Sequence, residues 1–548
     1  MEDHAARRGA ACEGASLPNN TGHQGDSWFH RPDDSYQVPG TATAITGSAG
    51  AFACPPTDPA PYLNAWVPLT SLDDMAQTEY DALIIGSGMG GGAALWRLCM
   101  QWAGSGRRIG VIERGGLLLQ THSWNVPTLS EERAARLFVN PSVSFPIGRT
   151  LPQFAGAREV YSLGGRTQFW GTVSPRIPDW ELEGWPVAKQ EMELYYNIAE
   201  EAMGISTDYT KNSTVTRIVL NRLWSRGYTG AAATPMAVDT TPTAFGDIRS
   251  SPAFSSIDFI ASALNMDTGF DLAVGAYATR ILLSGGRAIG AEAYGPVGRA
   301  HTLRAKRVIV ATSALQAPRL LLYSGIQGRA IGHYLANHSF VVGNAILNTT
   351  GFPEVGGVLA VLVPPTPSKP YQVQLQGPSL YYWYHDRPKP DQSEWALNFF
   401  GGFGPVQSRY ENYVYLDPSR LDPYGVPQIG VSFAYSPRDL AIIERIKADM
   451  PRIAEASGMV LAGPDGVPEL CVLPPGADFH EHGTLRMGYD PATSATNPYG
   501  QIHGVPGLFA AGNSVLPSLG ASNPSVTAAA MAMRTADYIA FSPESSCM

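Results

Sequence analysis

The stretch DFHEHGTLRMG, residues 478–488, holds His480 and His482 one residue apart in a chain of 548 residues with only 11 histidines. Two imidazoles at that spacing could be metal ligands, a general base and its helper, or unrelated neighbours. In an extended segment residues two apart share a face, so both rings could turn the same way. A metal site needs more ligands than that. No cysteine lies near, and Glu481 would point to the opposite face, so no metal is expected here. A neutral imidazole, with an ordinary pKa of about 6.5, does suit proton abstraction. Two further histidines, His338 and His503, read as structural.

A second chemical signal is Gly86-Ser-Gly88-Met-Gly90-Gly91, a G-x-G-x-x-G string between an apolar strand (ALII, 82–85) and a helical segment. Gly86 permits the tight turn, Gly88 lets a pyrophosphate reach the backbone, and Gly91 lets the helix lie against the strand. Glu113 closes a second strand, IGVIE, where a carboxylate accepts the hydroxyls of an adenosine ribose. Strand, glycine turn, helix, strand and acid together predict a dinucleotide site. Two more strand-turn segments, VIVATS at 308–313 and LFAAGNS at 508–514, return to it from far along the chain. A long cofactor buried over its whole length fits that arrangement, which favours FAD over NAD.

The elements that must position these groups follow from composition and period. Residues 1–79 predict an extension, largely disordered or draped on the surface, whose aromatic and apolar part from 51 onward packs on the adjoining domain. Residues 80–334 predict the first part of the FAD-binding domain, with a substrate-side insert near 205–265. KQEMELYYNIAEEAMG within it reads as a helix stopped at Gly204. Residues 335–475 alternate with many aromatics, notably at 381–384, and predict a substrate-binding domain on an antiparallel sheet. Residues 476–540 return to the FAD-binding domain with the catalytic segment, and 541–548 form a tail.

Net charge is −9 and the pI about 5.7, which argues against nucleic acid as a partner. No apolar run of about 18 residues spans a bilayer. The N-terminus has no apolar signal core and the five cysteines are scattered. These features predict a soluble, cytoplasmic protein.

The motifs as a set resemble the glucose-methanol-choline (GMC) flavoprotein oxidoreductases. The matching stretches are DALIIGSGMGGGAALWRL…VIERGG, LGGRTQFWGTVSPR with GWPV, RVIVATSALQAPRLLL and YVYLDPSRLDPYGVPQI. HEHGTLRMG, GVPGLFAAGNSVLPS and NPSVTAAAMAMRTAD complete the set. They run in family order from about residue 80 to 540, closest in pattern to pyranose-oxidase-like and sugar dehydrogenase members. The resemblance implies an α/β fold, with a Rossmann-type FAD-binding domain built from discontinuous segments and an α+β substrate domain on an antiparallel sheet. It places Gly86, Gly88, Gly91 and Glu113 on the adenosine diphosphate, and the loop with Gly164, Gly165 and Thr172 beside the flavin. Thr312, Gly512, Asn513 and Pro524 are also implied as cofactor contacts. His480 falls at the family's active-site histidine and Asn523 at its second catalytic position.

Three departures matter. Phe169 stands where some relatives tether the flavin through a histidine, which implies noncovalent FAD. Asn513 replaces a frequent Asp, and His482 a usually apolar residue. The implied reaction is oxidation of a CH–OH group of a small polar substrate, such as a sugar, glycoside or natural-product intermediate. A hydride passes to flavin N5, with His480 as base and Asn523 as hydrogen-bond donor. Oxygen or a quinone or other carrier takes the electrons. A non-redox lyase of the same fold and a catalytically silent binding protein remain open alternatives.

Overall fold

Residues 66–141, 143–147, 151–241, 252–347, 357–377, 395–462 and 469–542 are described in a computed structural model, and their elements all lie in one unit, Val67–Met548. Residues 1–65, the aromatic stretch 381–384 and most of the tail, 543–548, lie outside the described residues. Among the described residues no helix is long and apolar enough to cross a membrane.

Five parallel strands form the sheet that carries the glycine turn, in the order Leu508–Ala510, Val308–Val310, Ala82–Ile85, Ile109–Ile112, Phe270–Ala273. The first four are buried at every residue. Continuous apolar runs of this kind form strands covered on both faces. The returning segments at 308 and 508 lie side by side, although two hundred residues of sequence separate them. The edge strand Phe270–Ala273 contains Asp271, so no apolar run announces it. Helices Met89–Trp102 and Ser525–Phe541 pack against each other.

The second sheet is antiparallel and seven-stranded, in the order Met459–Ala462, His338–Leu347, Trp395–Pro405, Gln372–Gly377, Leu359–Val363, Ala232–Ala233, with Leu470–Val472 also pairing with His338–Leu347. Residues 335–475 supply all of it except Ala232–Ala233. That stretch also holds a 21-residue helix, Pro437–Ser457, where the aromatic alternation predicts strands. Its signals are local: Ser436 caps the first turn and exchanges hydrogen bonds with Asp439, Pro437 sits at the first helical position, and Gly458 ends it at φ +78°. The cap is worth about 1 kcal/mol. Each fully buried apolar side chain is worth roughly 1.5–3 kcal/mol. Ile442, Ile446, Met450 and Ile453 all join the core with Val373 and Leu375 of the sheet. Packing therefore holds the helix on the sheet, while the cap sets where it begins.

Because Val373 and Leu375 face this helix, strand alternation sends Gln374 and Gln376 to the other face, where they line a cleft. At the N-terminal end, the fold takes in residues that composition assigns to the extension. Leu72 and Met75 are buried, Thr70 N donates to Leu272 O at 2.8 Å, and Glu79–Tyr80 pairs with Ala300–Ala305.

Candidate active site

The glycine turn opens onto a cleft of about 490 Å³, a size usual for ligand sites (about 300–1,000 Å³). Gly86 has φ +99°, a region side chains rarely adopt, and a Cβ there would meet Ala311 O at 2.6 Å. A Cβ on Gly91 would lie 1.9 Å from Gly86 O, so this glycine supports the turn from behind and does not line the cleft. Gly88 is the opposite case. Nothing lies within 4 Å of its would-be Cβ, and it faces the cleft at the N-terminus of helix Met89–Trp102. Gly90 approaches Gly512 so closely that a Cβ would sit 2.7 Å from its Cα, and this contact ties the first glycine segment to the last strand-turn.

Glu113 lines the cleft and is buried, which pushes its carboxyl pKa up against the pull of its hydrogen bonds. Oε2 accepts from Ser87 N at 3.1 Å and Ser87 Oγ at 2.7 Å, and Oε1 accepts from Gly115 N at 2.8 Å. A carboxylate has about four acceptor sites, so room for one more donor remains. Ser87 Oγ in turn accepts from Gly164 N at 3.0 Å. Ser87, an unspecified position in the motif, thus links the acid to the 164–172 loop. Within that loop Gly165 lines the cleft above Gly88, whereas Gly164 and Thr172 do not, although Gly171 and Val173 beside Thr172 do. Thr312, Gly512, Asn513 and Pro524 all line it, as does Phe169. Thr312 Oγ1 is buried and has no protein partner among the described residues.

At the other side of the cleft stand His480 and Asn523. His480 lies on an irregular segment broken by Phe479 at φ +58°, and Asn523 just precedes the C-terminal helix. Asn523 Nδ2 is 3.5 Å from His480 Nε2. Its Oδ1 accepts from Gln372 Nε2 at 2.9 Å and Gln374 Nε2 at 2.7 Å, which turns the amide hydrogens toward the histidine. The three glutamines of YQVQLQG are visible in the sequence only as an alternation, which by itself names no role for them. Burial first, then the Arg166 and His482 charges, push the His480 pKa down to about 3. The ordinary value of about 6.5 expected from sequence therefore does not apply.

His482 turns back on the chain, its Nδ1 donating to His480 O at 3.1 Å. Glu481 pairs with Arg166 at 2.8 Å, and Arg166 also lines the cleft. His338, which the sequence reads as structural, meets the His480 ring on its other nitrogen, Nδ1 to Nδ1 at 2.9 Å. Together with Asp478 these two rings place three potential ligand atoms within 4.8 Å. Both Asp478 oxygens are already engaged, Oδ1 by Asn337 Nδ2 at 3.0 Å and Oδ2 by His338 N at 2.8 Å.

A glycine-cradled cleft that ends in a histidine–asparagine pair joins two halves of one sequence pattern. The chain matches GMC oxidoreductase over residues 161–340 and again over 407–532. It belongs to the GMC oxidoreductase family. Among curated relatives, a C-glycoside 3-oxidase of Microbacterium trichothecenolyticum is 31% identical over 397 residues, covering 69% of this chain and 75% of the relative. A pyranose 2-oxidase of Tricholoma matsutake is 25% identical over 446 residues, 72% and 74% of the two chains. In fold the chain is similar to pyridoxine 4-oxidase from Mesorbium loti, with TM-score 0.61, 17% identity and coverage of 84% and 99%. Formate oxidase from Aspergillus oryzae RIB40 gives TM-score 0.59 and 13% identity, with coverage of 84% and 98%.

As a GMC oxidoreductase the chain uses FAD, and its residues fit that group. The open space over Gly88 at a helix N-terminus suits a pyrophosphate. Glu113 at one end suits a ribose, and the unpartnered Thr312 hydroxyl offers a further polar contact inside the cleft.

Proposed function

We propose that this GMC oxidoreductase oxidises a CH–OH group of a sugar or glycoside, with His480 as the base and Asn523 as the hydrogen-bond donor. FAD would be held noncovalently by Gly86, Gly88, Gly165, Glu113, Thr312, Gly512, Asn513 and Pro524, with Gly91, Gly164 and Thr172 shaping the segments that hold it. When bound it supplies the hydride acceptor. His480 Nε2 takes the hydroxyl proton: the O–H bond breaks, an N–H bond forms, and the electron pair stays on oxygen. Asn523 Nδ2 donates to that oxygen as its charge develops. Gln372 and Gln374 keep the amide from flipping, so the donor is set before the substrate arrives.

The observation that carries this reading is the 3.5 Å approach of Asn523 Nδ2 to His480 Nε2 at the cleft, with the amide oxygen turned away. The substrate class rests on the glutamines and on the relatives named for glycosides and pyranoses. Gln376 lines the cleft, and its Nε2 has no protein partner among the described residues, which suits a sugar hydroxyl. The test is an anaerobic screen of sugars, glycosides and simple alcohols against bleaching of the flavin absorbance. Bleaching by sugars or glycosides is expected. Bleaching by none of the alcohols would remove the redox reading. Peroxide formation in air then separates oxygen from a quinone or carrier as electron acceptor.

A further inference from the structure

His338 opens the strand His338–Leu347, and its side chain is fully buried. Its Nε2 lies 3.0 Å from Gly520 O. A carbonyl only accepts, so the hydrogen sits on Nε2. Burial, then the neighbouring His480 and His482 rings, push its pKa well below the ordinary imidazole value, and the ring is neutral. A neutral imidazole has one hydrogen, which leaves His338 Nδ1 as a bare lone pair. At 2.9 Å from it lies His480 Nδ1. Two lone pairs do not face each other at that distance, so His480 Nδ1 donates. The remaining lone pair of His480 is on Nε2, the nitrogen that faces Asn523.

We infer that His338 is a positioning residue: by accepting from His480 Nδ1 it fixes the tautomer in which His480 Nε2 is free to take a proton from the substrate. The inference rests on the reading of His480 as base. In hydrolytic triads a carboxylate orients the histidine. Here the carboxylate, Asp478, stands off at 3.6 Å from His480 Nδ1 and is engaged by Asn337 and the His338 amide. A neutral ring does the orienting instead. When His480 takes a proton on Nε2, its Nδ1–H bond to His338 persists, so the transfer needs no rearrangement on the His338 side. The other titratable groups around the pair are Asp478, Glu481, Arg166 and His482, all left untouched by the test.

The experiment compares His338→Asn and His338→Leu in the FAD-loaded enzyme. An asparagine Oδ1 stands close to where the histidine Nδ1 was and keeps an acceptor, whereas leucine keeps none. His338→Leu should slow flavin reduction about 100-fold with little change in KM, and His338→Asn should recover most of that loss. Nitrogen NMR on ring-labelled protein, with His480 assigned by its absence in His480→Ala, should read Nδ1–H in the parent and the asparagine variant. It should read a mixture or Nε2–H in the leucine variant. An Nε2–H signal in the parent overturns the inference whatever the rates, and so does a leucine variant that reduces flavin at parental speed. Should His338→Leu fail to hold FAD, the tautomer in parent and asparagine variant still decides. His480→Ala at parental speed would instead overturn the base assignment, an outcome the tautomer measurement tells apart.

Discussion

Asn523 Nδ2 stands 3.5 Å from His480 Nε2 while Asn523 Oδ1 accepts from two glutamines of the antiparallel sheet. The antiparallel sheet therefore sets the direction of a hydrogen-bond donor that lies just before the C-terminal helix. Either residue alone would be an ordinary polar side chain.

The two histidines of the HEH stretch separate under mutation. His480→Ala should hold FAD normally and reduce it about 10²- to 10⁴-fold more slowly. His482→Leu should keep most of its activity, since its ring turns back to the His480 carbonyl. Stopped-flow reduction at equal flavin content measures both. Greater damage from His482→Leu would exchange the two roles.

His480 should contribute no ionisation to flavin reduction between about pH 5 and about pH 8, where the groups that titrate at the site are Asp478 and Glu159, both pushed up to about 7 chiefly by burial. Burial holds the His480 pKa down at about 3, so the ring is unprotonated and its lone pair available across that window. His480 itself should limit the rate only as pH drops toward its folded value. A limb near an ordinary imidazole that persists in both Asp478→Asn and Glu159→Gln would contradict this.

Asn523→Asp keeps an acceptor for Gln372 and Gln374 but loses the donor. Removal of one such donor costs about 10²- to 10³-fold. A carboxylate beside His480 also favours the imidazolium, raising its pKa, so a falling limb should appear as pH decreases. A variant with parental rate and a flat profile would show that the donor is not used.

Gly88→Val tests the cradle. Its Cβ meets no protein atom within 4 Å, so the fold should survive, but the side chain occupies the cleft. Purified protein should show native circular dichroism with little bound flavin. Full flavin occupancy would place the pyrophosphate elsewhere.

Acid precipitation should release free FAD into the supernatant, because Phe169 lines the cleft where a tethering histidine would stand. Yellow colour retained in the denatured pellet would mean a covalent bond from another residue.

Much of the fold is legible from residue order. The GxGxxG turn, its flanking strands and the returning segments at 308 and 508 are local patterns, because parallel strands covered on both faces must be continuous apolar runs. The helix Pro437–Ser457 is legible too, through Ser436, Asp439 and Gly458, yet the aromatic alternation around it points to strands. The edge strand Phe270–Ala273 is not, since only partner strand 109–112 makes it part of that sheet.

The sequence by itself determined which groups are present: a glycine turn, an acid at the second strand, a histidine and an asparagine in family order. It did so because each signal depends on neighbours a few residues away. Only the tertiary structure decided how the histidine is held. His338 and Gln372 lie 142 and 151 residues from the side chains they orient, and hydrogen-bond direction depends on which atoms meet across that separation. Burial, likewise a property of the assembled fold, is what first pushes the His480 pKa down to about 3, far from an ordinary imidazole.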